Sequence, residues 1–436
     1  MKRNQSLGRL SAGLLLSAIV ILLLAPSVGA QSKFKNLHGF KPGNGRGFGI
    51  YAGLVFDPTG NLYGTATAGG KHNGGVVFQL TPNTGGSWAY SVIYSFCSLA
   101  NCSDGGAPLA GLIVDSAGNL YSTTYSGGAN GNNGTVFKLT PSGQGSWTES
   151  VLYSFAGGQD GAGPRSNLIF DQLGNLYGTT SSQGNSGTAG TVFKLAPNQD
   201  GTWSESVLYR FCSQANCSDG SYPQAGLMFD AAGNLYGTTL EGGQNSFIGD
   251  AGTVFQLTPN NDGSWSESVL YNFCSLANCV DGFEPYSSLI FDPAGNLYGT
   301  TWEGGSTTET GTVFRLTPQG GGNWSESVIR SFVCAPTNCP NGGSPIDNLT
   351  IDVAGNLYGT TYYGGDTSLC DEGCGLVFKL TPNSGQWQET VLHRFFAHPG
   401  MHPDAGLIFD AAGNLYGTTS GDGGRIFEGS VFEITP

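Results

Sequence analysis

The chain has 436 residues, a formal net charge of −14 and only 11% charged residues, but 72 glycines. So acidic a balance argues against nucleic acid and anionic membrane surfaces as partners, because both want basic patches. It leaves cations or neutral ligands such as glycans, with solubility as the plainer use of the charge.

Residues 1–30 read as a secretory signal peptide. Lys2, Arg3 and Arg9 precede the apolar run LSAGLLLSAIVILLLA, and PSVGA offers small residues for cleavage after Ala30. The run is short for a membrane span, and no second apolar stretch follows. The leader holds three of the 17 basic residues and none of the 31 acidic ones, so the mature chain carries −17. The expectation is a secreted or periplasmic monomer with no membrane span after cleavage.

Residues 31–436 read as one repeat domain. It opens with SKFKNLHGF (Ser32–Phe40). Then GNLY motifs recur seven times, beginning at Gly60, Gly118, Gly174, Gly233, Gly295, Gly355 and Gly413. A VF-x-L-T-P block follows each, with Ala196 for Thr in the third unit and Ile434 for Leu in the seventh. A block such as WSESVLYRF follows six of them, starting at Trp88, Trp147, Trp203, Trp265, Trp324 and Trp387. Each unit therefore holds four β-prone runs, a to d. In the third unit these are Asn167–Asp171, Asn175–Thr180, Thr191–Ala196 and Trp203–Phe211. Their apolar residues occupy both alternating faces, as in strands buried on two sides. The repeated Trp reads as packing.

The a–b turn is D-x-x-G-N in every unit. Its Asp can accept hydrogen bonds from the amides two and three residues on, and its Gly can take a positive φ. A turn role, not catalysis, explains all seven copies.

Four strands per unit at this period specify an all-β, seven-bladed propeller of antiparallel blades. The ends carry the argument. The seventh unit stops at VFEITP without a strand d, while NLHGF near the N-terminus aligns with VLHRF at Val391–Phe395. The N-terminal strand is expected to complete the last blade and close the ring. Closure removes sheet edges that an open stack would expose.

Ten cysteines lie in the mature part. In an exported chain they read as the local disulfides Cys97–Cys102, Cys212–Cys217, Cys274–Cys279, Cys334–Cys339 and Cys370–Cys374. Among Cys334, Cys339, Cys370 and Cys374 other pairings stay open. Each short loop gains on the order of 2 kcal/mol from chain entropy.

The pattern GNLYGTT…GG…GTVFKLTP…VLYSF resembles the GloVer tandem repeat of exported bacterial proteins that carry varied surface anchors. The likeness spans the mature chain. Its D-x-x-G-N-L-Y core is also similar to repeats of two-component-regulator and NHL-type propellers. The resemblance implies export and a repeat scaffold, and no particular activity. No sorting tail follows Pro436 here, so free secretion or periplasmic residence is expected rather than a covalent anchor.

In such a blade the d–a and b–c connections share one face. Here they are the long, variable segments, and they hold all ten cysteines. Rigid scaffolds carry function on loops of this kind. The candidate binding residues are Asp104, Asp160, Asp219 and Asp281 in the d–a loops, with Tyr222, Phe283, Tyr286, Trp302, Tyr362 and Tyr363 as aromatics able to stack on a sugar. The Asp residues each precede Gly and suit turns as well as they suit calcium. His393, His398 and His402 with Asp404 make a weaker metal candidate, and no metal or cofactor is expected. No nucleophile–base or phosphate-loop motif occurs. The leading expectation is a non-catalytic scaffold for a glycan, peptide or protein. The alternative is a propeller enzyme of lactonase, lyase or glycosidase type, which requires acidic or His side chains converging at the channel mouth.

Overall fold

The computed structural model describes residues 32–41, 45–183, 189–244, 251–305, 310–334, 339–365, 370, 373–396, 400–421 and 429–436. The expected leader, residues 1–30, and His398 lie outside them. Among the described residues no helix is long and apolar enough to cross a membrane. Regular structure is strand, with four 3-10 turns.

Seven antiparallel blade sheets follow one another along the chain, with a two-stranded pair, Gly47–Phe48 and Ala68–Gly69, beside the first. In blade 4 the strands are Met228–Phe229 (a), Leu235–Thr239 (b), Thr253–Pro259 (c) and Trp265–Asn272 (d), hydrogen-bonded in that order. The other blades repeat it. Strand a is shorter than the sequence predicts: Ile169–Phe170 replaces Asn167–Asp171. The reason is visible one blade away. Asn167 turns sideways, and its Oδ1 accepts from the Gly111 amide of blade 2 at 2.6 Å. The inner ends of the strands a thus tie blade to blade instead of extending the ladder.

Ring closure is as the ends imply. Lys33–Gly39 pairs antiparallel with Ser430–Thr435, in the sheet that also holds Leu415–Thr419 and Ile408–Phe409. The register sets Phe34 opposite Ile434 and His38 opposite Val431. His393 sits opposite Val377 in the same way in blade 6.

Each blade interface carries its own apolar cluster. Tyr177, Val192 and Phe211 of blade 3 meet Leu227, Leu235, Phe255 and Leu257 of blade 4. The closing interface uses the same positions, with Tyr416, Val431 and Phe40 against Leu54, Leu62, Phe78 and Leu80. The strand-d Trp packs on the Tyr of the preceding blade, as Trp147 does on Tyr63 at 5.7 Å. A bulge between Val192 and Phe193 shifts the c–d register past Leu208. It lets the adjacent Leu208 and Tyr209 both join the cluster.

The a–b turn differs in one detail from expectation. Asp230 Oδ1 accepts from the amides two and four residues on, Ala232 at 2.8 Å and Asn234 at 2.9 Å. The amide three residues on, Gly233, bonds the Asp230 carbonyl instead. Gly233 holds φ at +86°, which the type I turn with its bulge requires. The second carboxylate oxygen takes Asn234 Nδ2 at 2.7 Å and the Tyr236 hydroxyl at 3.1 Å. The motif is therefore closed on itself through its Tyr.

Candidate functional site

All five disulfides pair locally, and the Cys334–Cys339 and Cys370–Cys374 alternatives are thereby decided. They staple four d–a loops and one b–c loop. Inside three stapled d–a loops the predicted Asp faces inward. Asp219 is fully buried; its Oδ2 accepts from the Tyr209 hydroxyl at 2.8 Å and the Ser213 amide at 2.9 Å. Asp104 and Asp281 are buried the same way. Asp160, in a loop without cysteines, accepts from the Tyr153 hydroxyl at 2.9 Å. Asp104, Asp219 and Asp281 hold their loops from inside, and the half-buried Asp160 holds its loop through the Tyr153 hydroxyl and the Ala156 amide. Phe283 is likewise a core residue, 8% exposed.

Past each d–a turn the chain takes a left-handed residue and then, in six of seven blades, a proline. The left-handed residues include Ala107, Tyr222, Glu284, Ser344 and His402, with φ between +51° and +60°. A side chain is awkward at positive φ, and a following proline disfavours it further. The fold keeps it because each is clamped between blades. The Glu284 amide donates to Ala251 O at 3.0 Å, and its carbonyl accepts from Trp302 N at 2.9 Å.

The next residue in each blade points into the central channel. Tyr51, Leu109, Arg165, Gln224, Tyr286, Ile346 and Asp404 are equivalent positions, and all seven line one cavity of about 410 Å³. The repeats are nearly identical elsewhere, yet no residue here occurs more than twice. Asp347 joins them from the following position, which is Ala or Ser in the other six blades. Of this ring only Tyr286 and Asp404 stood among the residues singled out from the sequence, and neither as part of a ring. The signal was the disagreement at one repeat position.

Four of the predicted aromatics converge at the rim. Ring centroids lie 6.0 Å apart for Tyr286–Trp302, 5.6 Å for Trp302–Tyr362 and 4.9 Å for Tyr362–Tyr363. His402 extends the arc, stacked on Tyr362 at 4.2 Å and 6°. Tyr286 and Trp302 line the channel itself. Tyr222 belongs to blade 4 and lies beside this arc, close enough to act on the Tyr286 hydroxyl. His393 does not join His402. It is stacked between blades on Phe34 at 3.9 Å, where burial drops it to about 4. Among the described residues no group of His, Cys, Asp or Glu is arranged to hold a metal.

The charges of the mouth are polarised. Asp347 and Asp404 occupy blades 6 and 7 and are half-buried. Asp347 Oδ2 accepts from the Gly406 amide at 2.6 Å. Burial lifts Asp347 to about 6. Burial, with the Asp347 charge beside it, lifts Asp404 to about 7, against Ser420 and Arg165. Burial also raises Glu284, with Glu303 and Glu241 adding to it. Arg165 stands on blade 3, three blades around the ring from each of the two aspartates, with its guanidinium 5.7 Å from the Tyr125 ring centre.

The fold and this mouth define a disulfide-stapled, seven-bladed propeller with a small cavity at the loop-face end of its channel. The Gloeobacter/Verrucomicrobia repeat matches residues 89–279 and 249–436, and the chain belongs to that family. No curated protein matches it. Among solved structures it is similar to one described as a candidate gluconolactonase, at 14% identity over 93% of this chain and 92% of that one, TM-score 0.41. It is also similar to PorZ, a surface component of the type-IX secretion system of Porphyromonas gingivalis, at 15% identity, TM-score 0.47. That match covers 83% of this chain and spans 44% of PorZ.

Proposed function

We propose that the protein is an exported, non-catalytic propeller that binds a glycan at the loop-face mouth of its channel. The observation that carries this reading is the arc Tyr286–Trp302–Tyr362, which sets two aromatic rings in the wall of a polar cavity and a third beside them at its rim. Aromatic rings offer flat apolar faces to the C–H side of a sugar, while neighbouring carboxylates and Arg165 meet hydroxyls. The leader-like N-terminus and the disulfides support residence outside the cytoplasm. A glycan array probed with the mature protein and with Trp302→Ala tests it. Specific binding that drops about tenfold in the variant is expected, on the scale of one lost aromatic contact. Capture of a peptide or protein with no glycan bound would overturn it.

One observation favours a second reading as an enzyme. Asp347 and Asp404 are neighbouring carboxyls lifted to about 6 and 7, the range a general acid needs. A lactonase, lyase or glycosidase reading requires turnover that disappears in Asp404→Asn. Binding without turnover across those substrate classes removes it.

A further inference from the structure

The arc of aromatic rings is bracketed by carboxylates. Glu284 flanks it on the blade 5 side, next to Tyr286. Asp404 flanks it on the other, next to Tyr362, with Asp347 beside Asp404 in the cavity wall. Arg165, the cation lining the cavity, lies across the channel. Two like charges side by side are costly unless a positive group comes between them. Aromatic faces also attract a cation, increasingly so where water is excluded. A neutral sugar would use the rings and leave one of the two aspartates to take up a proton, whereas a cation lets both stay ionised.

We propose that the ligand carries a primary amine, as in a glycan of free amino sugars, and that the amine sits against Asp347 and Asp404 at the Tyr362 end of the arc. This rests on the glycan reading and narrows it. Arg165 then sets polarity: it repels the amine from blade 3, so the sugar binds in one direction. The opposing surface offers no such choice, since the c–d turns carry isolated exposed aspartates such as Asp200.

Calorimetry with glucosamine hexamer and N-acetylglucosamine hexamer, using the mature protein, tests this. The amine form should bind about tenfold tighter, and Asp347→Asn with Asp404→Asn should erase the difference. Asp200→Asn, on the far face, should leave it unchanged; an equal loss there would mean general attraction to an acidic protein and overturns the proposal. Arg165→Gln keeps the test decisive if the double variant does not fold. It should raise amine affinity about threefold, and no change or a fall overturns the proposal. Equal or better binding of the acetylated form overturns the amine while leaving the glycan reading standing. Binding of neither hexamer, with an empty array, removes both.

Discussion

Arg330 of blade 5 reaches Glu389 of blade 6 and donates to its Oε2 at 2.6 Å. The four preceding interfaces put Tyr at the Arg position and keep the Glu. Tyr94, Tyr153, Tyr209 and Tyr271 face Glu149, Glu205, Glu267 and Glu326. Each pair also meets the d–a Asp that the Tyr hydroxyl bonds. In the fifth loop that Asp is Asn341. One interface has exchanged an acidic pair for an ion pair, and the other four keep carboxylates face to face.

Those four should make the protein acid-favouring. Burial, with the facing Asp adding to it, lifts Glu149, Glu205 and Glu267 to about 7 and Glu326 to about 8. A raised carboxyl holds its proton in the folded chain after the unfolded chain has lost it. Its contribution is complete below about pH 4.5 and disappears as the pH rises through 7 to 8. The turn aspartates act oppositely. Burial raises them, but hydrogen bonds from Asn234 and its equivalents outweigh it and hold them below the usual value. Their contribution is lost as the pH falls through that lower range. The melting temperature should therefore peak near pH 5 and decline towards pH 8. Glu267→Gln should raise the midpoint at pH 8 and change it little at pH 5.

Arg330→Met should do the reverse. It leaves Glu389 half-buried without its cation, at about 1–3 kcal/mol, below the cost of breaking a fully buried pair because both partners keep some solvent. Urea unfolding at pH 7 reads this out, and the loss should shrink at pH 5 as Glu389 takes up a proton.

Two glycines in blade 4 separate strain from crowding. Gly233 holds φ at +86° with nothing near a would-be Cβ, so Gly233→Ala should cost about 1 kcal/mol. Gly237 sits in strand b, where a Cβ would lie 2.6 Å from Phe255 Cζ. Gly237→Ala should cost more, about 2–3 kcal/mol, as overpacking of a filled interface. Denaturant midpoints should rank them in that order.

A chain starting at Lys41 should lose the closing interface and melt lower, since it lacks Phe34 and Phe40. A synthetic peptide of residues 32–40 should restore much of the loss at high micromolar concentration. Phe34→Ala in the peptide should weaken rescue about tenfold, because Phe34 stacks on His393 and edges Phe395. Rescue independent of peptide sequence would contradict this.

The blade plan was legible because its signals are local. The Asp230–Gly233 turn, the alternation of strand c and the NLHGF strand each state their role within ten residues. The channel was not. Arg165, Asp347 and Asp404 lie in different units more than fifty residues apart, and only the ring curvature brings them together. Asp219 misled for the same reason: a loop Asp looks exposed until the Tyr209 hydroxyl and the Ser213 amide are seen folded onto it. His393 and His402, nine residues apart, are separated by strand d ending in an interface and the next loop reaching the mouth.

The seam at Lys33 and Thr435 gives the ring a clasp. Six blades can assemble from neighbouring sequence, but the seventh must join segments some four hundred residues apart. Closing so long a span costs roughly 4 kcal/mol more entropy than closing a tight hairpin. The aromatic stacks of Phe34 and His38 are what the clasp has to offset it. Assembly of the molecule should therefore end where its chain begins. A circular permutant, with the two ends of the clasp linked and a new opening cut at the exposed turn near Asp200, would move that last step to another blade and leave the finished ring unchanged.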